Sequence, residues 1–304
     1  MKKDCFHVLW LIFLIGLILF SLPIFAPASC LDVNQLKQSS VPLTTYIDFL
    51  EDAEATLTFS DIESPDIAHR FNTNSPPAEA FNFGYTHSTY WLRFYLCNSD
   101  DRPLEKMVSI EDANVSNLSF YAPIGQNEYH VISTGLSQPF NTRPYNNRYF
   151  IFPVTVPPHS EQRYYIKAQS IHPFILPVKL WTPADFHQYE RNDYFAQALY
   201  FGMVVSMIIF NALIFTVLRD TIYLLYVGYV AFFSLYMAAI TGLGKEFLWS
   251  NLSNADIFAA ELCDFVIITL LLFTRQMLNT KANTPVIDVV LKMYIVAYIL
   301  QSII

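Results

Sequence analysis

The chain has 304 residues, of which 53% are hydrophobic, which leaves room for about two domains at roughly 100–200 residues each. Its formal net charge is −8, and an acid excess argues against nucleic-acid binding, which needs a basic footprint. The excess sits in the middle: residues 31–190 carry 18 acidic and 10 basic side chains, whereas residues 191–304 carry 7 and 6. The cysteines Cys5, Cys30, Cys97 and Cys263 lie far apart with no C-x-x-C pair, so neither a zinc site nor a disulfide framework is expected. Cys30 and Cys97 are the two that could meet outside a membrane. A bridge between them is the minor reading, and the others read as ordinary buried thiols.

The chain opens with the parts of an export signal. Lys2 and Lys3 give a positive start, Val8 to Leu22 is apolar, and Ala26-Pro27-Ala28 offers a small-residue cleavage site. This predicts a signal peptide over residues 1–29, with an uncleaved anchor helix as the alternative. Either delivers the next segment across a membrane. Leu31 to Ser40 is polar and reads as a disordered lead-in. Ile47 to Ser60 reads as a short amphipathic turn, and Ser75-Pro76-Pro77 as a loop.

Strand signals follow. In Thr89 to Leu96 (TYWLRFYL), Tyr90, Leu92, Phe94 and Leu96 fall on one face, and Trp91, Arg93 and Tyr95 on the other. That period of two is a strand signature. Asn117 to Tyr121, Arg148 to Val156 and Arg163 to Ala168 read likewise. Pro177 within Phe174 to Trp181 suggests an edge strand or a bulge. Short strands at near-regular spacing, broken by Pro and Gly, predict an all-β sandwich over residues 40–182.

After Trp181 the pattern changes. Thr182-Pro183-Ala184-Asp185 leads into a helix whose polar start, Gln188 to Asp193, belongs at a membrane surface. Four apolar stretches follow, at about Tyr194 to Leu218, Ile222 to Ile240, Ile257 to Leu278, and Val286 to Ile304. Each is near the roughly 20 residues that a helix needs to cross hydrocarbon, so residues 190–304 read as a transmembrane helical region. With the sandwich outside, Arg219, Arg275 and Lys281 fall in inner loops, as the positive-inside bias requires. The outer loop sets Lys245 against Glu246 and Asp256.

Candidate chemistry is sparse. The sequence holds no nucleophile elbow, P-loop, HExxH or dinucleotide fingerprint, and no two histidines pair at ligand spacing. No enzymatic activity, cofactor or metal is therefore expected. Asp100-Asp101 and Glu111-Asp112 offer calcium-type oxygen ligands, but solvated loop acids are the ordinary reading. Glu261 and Asp264 are three apart in the third helix and so share a face; an acid within a membrane is costly and suggests a role. Tyr85, Trp91, Tyr95, Tyr145 and Trp181 offer flat apolar faces with polar tips that suit a sugar or another small amphipathic ligand. Packing in the sandwich core is the competing reading for each.

Several segments are similar to a known family: FNFGYTHSTYWLRFYLCNS (Phe81 to Ser99), LSFYAPIG (Leu118 to Gly125), YYIKAQS (Tyr164 to Ser170) and LPVKLWTP (Leu176 to Pro183). They resemble the type 2 extracellular domain of bacterial seven-transmembrane receptors with diverse intracellular signalling modules. Tyr200 to Val230 resembles that family's first two helices, with Gly202, Asn211, Arg219, Asp220 and Tyr223 at signature positions. The resemblance implies a jelly-roll sandwich similar to carbohydrate-binding modules, a bundle of seven helices and a cytoplasmic output module. The chain ends within the fourth helix and so reads as a piece of that plan.

The expectation is a multi-pass protein of the bacterial inner membrane with a periplasmic sensory sandwich. Its expected partners are a small-molecule or carbohydrate ligand, the lipid bilayer and a second copy of the chain forming a homodimer. A membrane assembly protein and a transporter using Glu261 and Asp264 are the alternatives.

Overall fold

The computed structural model describes residues 30–35, 39–73, 79–125, 128–253 and 255–302. The expected export signal, the Ser75-Pro76-Pro77 loop and Cys5 lie outside these. The strands run in chain order β1 (Leu31–Asp32), β2 (Ser40–Pro42), β3 (Asp48–Asp52), β4 (Asn72–Thr73), β5 (Phe81–Gly84), β6 (Thr89–Asn98) and β7 (Leu104–Ile110). They continue as β8 (Asn117–Gly125), β9 (Glu128–Thr134), β10 (Phe150–Val156), β11 (Ser160–Gln169), β12 (Phe174–Leu176) and β13 (Val178–Trp181). One sheet has the order β4-β3-β6-β11-β8-β9, with β1 added in parallel beside β6. The facing sheet has the order β10-β7-β13-β2, and β12 pairs with β5 in a small third sheet.

The alternation in β6 decides how the sheets pack. Tyr90, Leu92, Phe94 and Leu96 enter the core between the sheets, against Val108, Ile110, Phe152 and Leu180 of the facing sheet. Phe120 and Phe152 stack across it at 4.3 Å. Each fully buried aromatic or aliphatic side chain stabilises the fold by roughly 1.5–3 kcal/mol. Trp91, on the opposite face of β6, does not reach solvent. Two short helices, α1 (Phe59–Glu63) and α2 (Pro65–Ala68), lie over it, and Ile62, Phe71, Leu50 and Tyr165 enclose it in a second small core. The segment Ile47 to Ser60 is therefore more than an amphipathic turn: it supplies β3 and the start of this cover.

Pro177 has a structural task. It separates β12, paired to β5, from β13, paired to β7. A residue without an N–H donor suits the point where the chain leaves one sheet for another.

The expected disordered lead-in at Leu31 to Ser40 requires correction. β1 pairs with β6 in the register Leu31–Leu96, and Cys30 is bonded to Cys97. The disulfide holds this short strand against the end of β6, where two residues of pairing alone would not. Among the described residues Cys263 is the free thiol.

The helices are α3 (Pro183–Leu218), α4 (Thr221–Ile240), α5 (Leu243–Phe247), α6 (Ala255–Met277), α7 (Thr280–Asn283) and α8 (Pro285–Gln301). The four long ones fall on the four apolar stretches. Among the described residues, α3 and α4 are long and apolar enough to cross a membrane. Their outward apolar side chains, Phe195 and Val217 among them, are 71% and 80% exposed, as lipid-facing residues must be. At the end far from the sandwich, Asp288 receives Arg275 at 2.9 Å, which clasps α6 to α8, and Lys292 one turn on in α8 at 2.8 Å.

A bridge spanning 67 residues removes about 4 kcal/mol of unfolded-chain entropy in the loop-closure picture. Cys97→Ser should therefore lower the sandwich's unfolding free energy by roughly 2–4 kcal/mol. Reductant should do the same to the unaltered protein and add nothing to the variant. Identical denaturation curves with and without reductant would refute the contribution.

Candidate functional site

The candidate site is the seam where the sandwich meets the helices, and it starts from one uninterrupted element. β13 ends at Trp181, and Thr182 caps the next helix by accepting the Asp185 N–H at 3.3 Å. Pro183 at the first helical position has the fixed φ that a helix start needs. From there α3 runs 36 residues, about 54 Å at 1.5 Å per residue. A hydrocarbon core is about 30 Å thick, so the polar first turns stand outside lipid. They rest on the sandwich instead. Phe186 is buried between Trp181 and Tyr145, and Tyr189 stacks on Trp181 at 4.9 Å. The Trp181 Nε1–H donates to Ser109 Oγ at 3.0 Å, fixing the indole on β7.

Around this apolar patch is a ring of polar contacts. Arg148 donates to both carboxylate oxygens of Asp193, at 2.8 and 2.7 Å, and through Nη1 to the Thr241 carbonyl at 2.9 Å. One guanidinium thus joins the sandwich to α3 and to the end of α4. Burial is the largest influence and works against its charge, but Asp193, through its bonds and its charge, together with Tyr149 and Tyr189 holds it above its ordinary value. Tyr194 accepts the Arg148 N–H at 3.1 Å and donates its hydroxyl to Glu246 at 2.6 Å. Glu190 accepts from Tyr145 at 2.9 Å and Asn147 at 2.8 Å. Burial, first, raises the Tyr145 hydroxyl to about 12, and the Glu190 carboxylate adds to this, so it stays a donor.

Arg143 shapes the loop that carries these groups. Its Nη1 donates to the carbonyls of Asn147, Arg148 and Tyr149, while Phe140 and Phe150 cover its faces at 4.8 and 4.2 Å. Burial pushes it down to about 10, which still leaves it charged at neutral pH. Gly242 follows α4 with φ of 82°, and a Cβ there would stand 2.8 Å from the Arg148 carbonyl and 2.7 Å from Ala113. Only glycine fits both the backbone and the space. The outer loop that carries Lys245 and Glu246 is folded into the seam: Lys245 is buried and donates to the Leu252 carbonyl.

Beside this ring lies a cavity of about 730 Å³ between the sandwich and α4, α6 and the end of α8. Asp112, His172 and Ile175 border it from the sandwich, and Tyr236, Trp249 and Asp264 from the helical part.

The sequence-derived candidates do not converge. Tyr85 is 83% exposed at the turn after β5, and Tyr95 lies beside Arg163, 5.3 Å from ring centre to guanidinium. Trp91 is enclosed in the second core, so its indole presents no open face. Tyr145 and Trp181 do come together, but around Phe186 in the seam. Glu261 and Asp264 part company: Glu261 is exposed, whereas Asp264 is buried at the cavity and receives Gln301 at 3.5 Å. Cys30, Cys97 and Glu161 approach within 4.8 Å of one another, but the two sulfurs are bonded to each other and so are not thiolate ligands. Sequence reasoning missed Arg143, Arg148, Glu190, Asp193 and Glu246. Their signal was the run RPYNNRY (Arg143 to Tyr149), which puts two of the acidic domain's 10 basic residues five positions apart among four aromatic and amide side chains.

Comparison with known proteins gives the family. Residues 44–182 match the family described as 7TMR-DISM extracellular 2, and residues 193–304 match the one described as 7TM diverse intracellular signalling. No curated protein matches the chain. Among solved structures, a Bacillus thuringiensis Cry1Da tryptic core variant overlaps 35% of this chain at 15% identity and a TM-score of 0.23, and the overlap spans 21% of that structure. A family GH115 4-O-methyl-α-glucuronidase, described as specific for decorated arabinogalactans, overlaps 35% of this chain at 16% identity and a TM-score of 0.21, spanning 14% of that structure. Overlaps this slight say nothing about binding. A sandwich matched as the extracellular domain and apolar helices matched as the membrane region, in that order, identify the chain as a member of the 7TMR-DISM family of membrane signalling proteins.

Proposed function

We propose that the chain is the input half of a bacterial receptor, in which a ligand held by the periplasmic sandwich changes how the first helices pack in the inner membrane. It binds and relays rather than catalyses, and residues 1–29 serve as its export signal. The observation that supports this best is the unbroken run of α3 from the sandwich's last strand into lipid. A helix held at Phe186, Glu190 and Asp193 must shift or rotate with the surface that holds it. For a ligand to use that link it must bind one arrangement better than the other, because equal affinity shifts nothing. The clustering of Arg275, Lys281 and Lys292 at the end away from the sandwich agrees with that end being cytoplasmic.

For the ligand we favour a carbohydrate. A groove of about 400 Å³ on the sandwich combines Tyr129, Arg163, Glu161 and Gln162 beside Ile124 and Pro157. Tyr95 lies under the Arg163 guanidinium at its border, 5.3 Å from ring centre to guanidinium. An aromatic face with flanking donors and acceptors is the chemistry a sugar needs.

Two measurements test this reading. In a screen of glycans, lipids and peptides against the full chain in detergent, a glycan should raise the melting temperature, and Tyr129→Ala or Arg163→Ala should abolish the rise. No shift with any of the three classes would count against a sensor. Separately, Arg148→Ala leaves the part-buried Asp193 in the seam without its partner, a loss smaller than the roughly 3–5 kcal/mol for one member of a fully buried pair. The variant should be cleaved by protease within residues 183–193 far faster than the unaltered chain while its strand content is kept. Unchanged cleavage would show that Arg148 does not hold the seam.

A further inference from the structure

The cavity between the sandwich and the helices is built like a ligand site, and its chemistry differs from that of the sandwich groove. Its volume of about 730 Å³ falls within the roughly 300–1,000 Å³ of small-molecule sites. Ala239, Ala259 and Ala260 leave the space open on the helix side, and Trp249, Tyr236 and Ile175 give it an apolar and aromatic wall. Three carboxylates border it, Glu111, Asp112 and Asp264, and among the described residues that line it there is no lysine or arginine.

These carboxylates are not equivalent. Lys179 reaches Glu111 at 2.6 Å from outside the lining and neutralises it. Asp112 accepts the backbone N–H and the side-chain amide of Asn114, at 2.9 and 3.3 Å, with His172 nearby. Asp264 accepts from the Gln301 amide at 3.5 Å, well beyond the usual 2.9–3.0 Å of a good N–H···O bond. So two carboxylates face an aromatic cavity with neutral amide donors bound to them. A buried charge is costly unless it is paired, and burial accordingly holds the Asp112 carboxyl above the usual carboxylate range. The faces of Trp249 and Tyr236 also favour positive charge, because an aromatic ring attracts cations to its face. The apolar share of the lining suits an organic cation better than calcium, which takes six to eight oxygens.

We infer that this cavity binds an organic ammonium ion, its charge answering Asp112 and Asp264 and its apolar body lying along Trp249 and Tyr236. The site stands apart from the sandwich groove and does not depend on what that groove binds. An occupant touches the sandwich and the helices at once, so it would favour the docked seam. The ammonium could belong to a free amine or to an aminolipid headgroup, since the cavity lies at the outer membrane boundary.

Cys263 lies in the cavity wall and reports occupancy. The test uses the full chain in maltoside detergent, which carries no ammonium group, in a Cys5→Ser background, with tryptamine as probe and its neutral hydroxyl counterpart tryptophol as control. Tryptamine should slow maleimide modification of Cys263 and bind about tenfold or more tightly than tryptophol by calorimetry. Asp112→Asn and Asp264→Asn should each weaken tryptamine by about tenfold or more, as expected for truncating a charge pair, with tryptophol unaffected. Ala259→Leu, which fills the cavity and leaves both acids in place, should abolish the protection even if an acid variant fails to fold. Adding phosphatidylethanolamine distinguishes the sources: protection by the lipid alone assigns the site to an aminolipid head, and its absence beside protection by tryptamine assigns it to a free amine. Equal affinity for tryptamine and tryptophol would overturn the inference, as would protection that survives Ala259→Leu.

Discussion

The grip of the Arg148 guanidinium on Asp193 and the Thr241 carbonyl is the contact on which the rest of the arrangement depends. A β-sandwich and a set of lipid-embedded helices have no inherent reason to hold a fixed relation. Here the acceptor carboxylate belongs to the last polar turn of α3 before lipid, and the acceptor carbonyl to the end of α4. Both are held by a residue one position before Tyr149, on the approach to β10. Arg143 keeps that approach in shape from beneath, through three backbone carbonyls. Without this pair and the Tyr145 and Asn147 bonds to Glu190 beside it, the aromatic patch around Phe186 would be a sliding surface, because apolar contact has no direction. With them, the first helix has one rotational setting against the sandwich.

That setting matters because α3 has no hinge where one might be expected. Two-domain chains usually join through polar, flexible linkers. This one passes from strand to helix across a single capping residue, Thr182. The helix then stays continuous for 36 residues. The stiffness comes from local chemistry, namely a Thr cap, Pro183 at the first position and Asp185 in the first turn, and from the docking of Phe186. At the opposite end of the bundle, the Arg275–Asp288 pair clasps the third and fourth long helices. The helical region is thus tied by charge at both membrane faces and by van der Waals packing between them, as expected where lipid removes the hydrophobic drive between helices.

Most of the fold could be read from residue order, because its causes are local. The period of two in Thr89 to Leu96 placed Leu92 and Phe94 inside and Trp91 on the other face. The apolar stretches and the polar start of the first helix gave the membrane region. What could not be read depended on residues far apart in sequence. Cys30 and Cys97 are 67 positions apart, and nothing in either segment announces the bridge. Trp91 was open to two readings, ligand face or core, because strand alternation gives its face but not the α1–α2 cover. The seam was invisible for the same reason: Arg148, Asp193 and Glu246 are single charges with no shared spacing. Asp264 was recognised as a costly acid within a membrane, but only the folded chain shows that it borders a cavity while Glu261 does not.

The most direct measurement is backbone hydrogen exchange on the full chain in nanodiscs, followed across residues 178–200. If the sandwich and the first helix form one body, amides from Phe186 to Tyr200 exchange as slowly as those of β13 and open together with them. Rapid exchange from Phe186 to Asp193, with protection beginning only at the lipid boundary, would mean that the two parts are joined by a loose strap, and the relay described above could not operate.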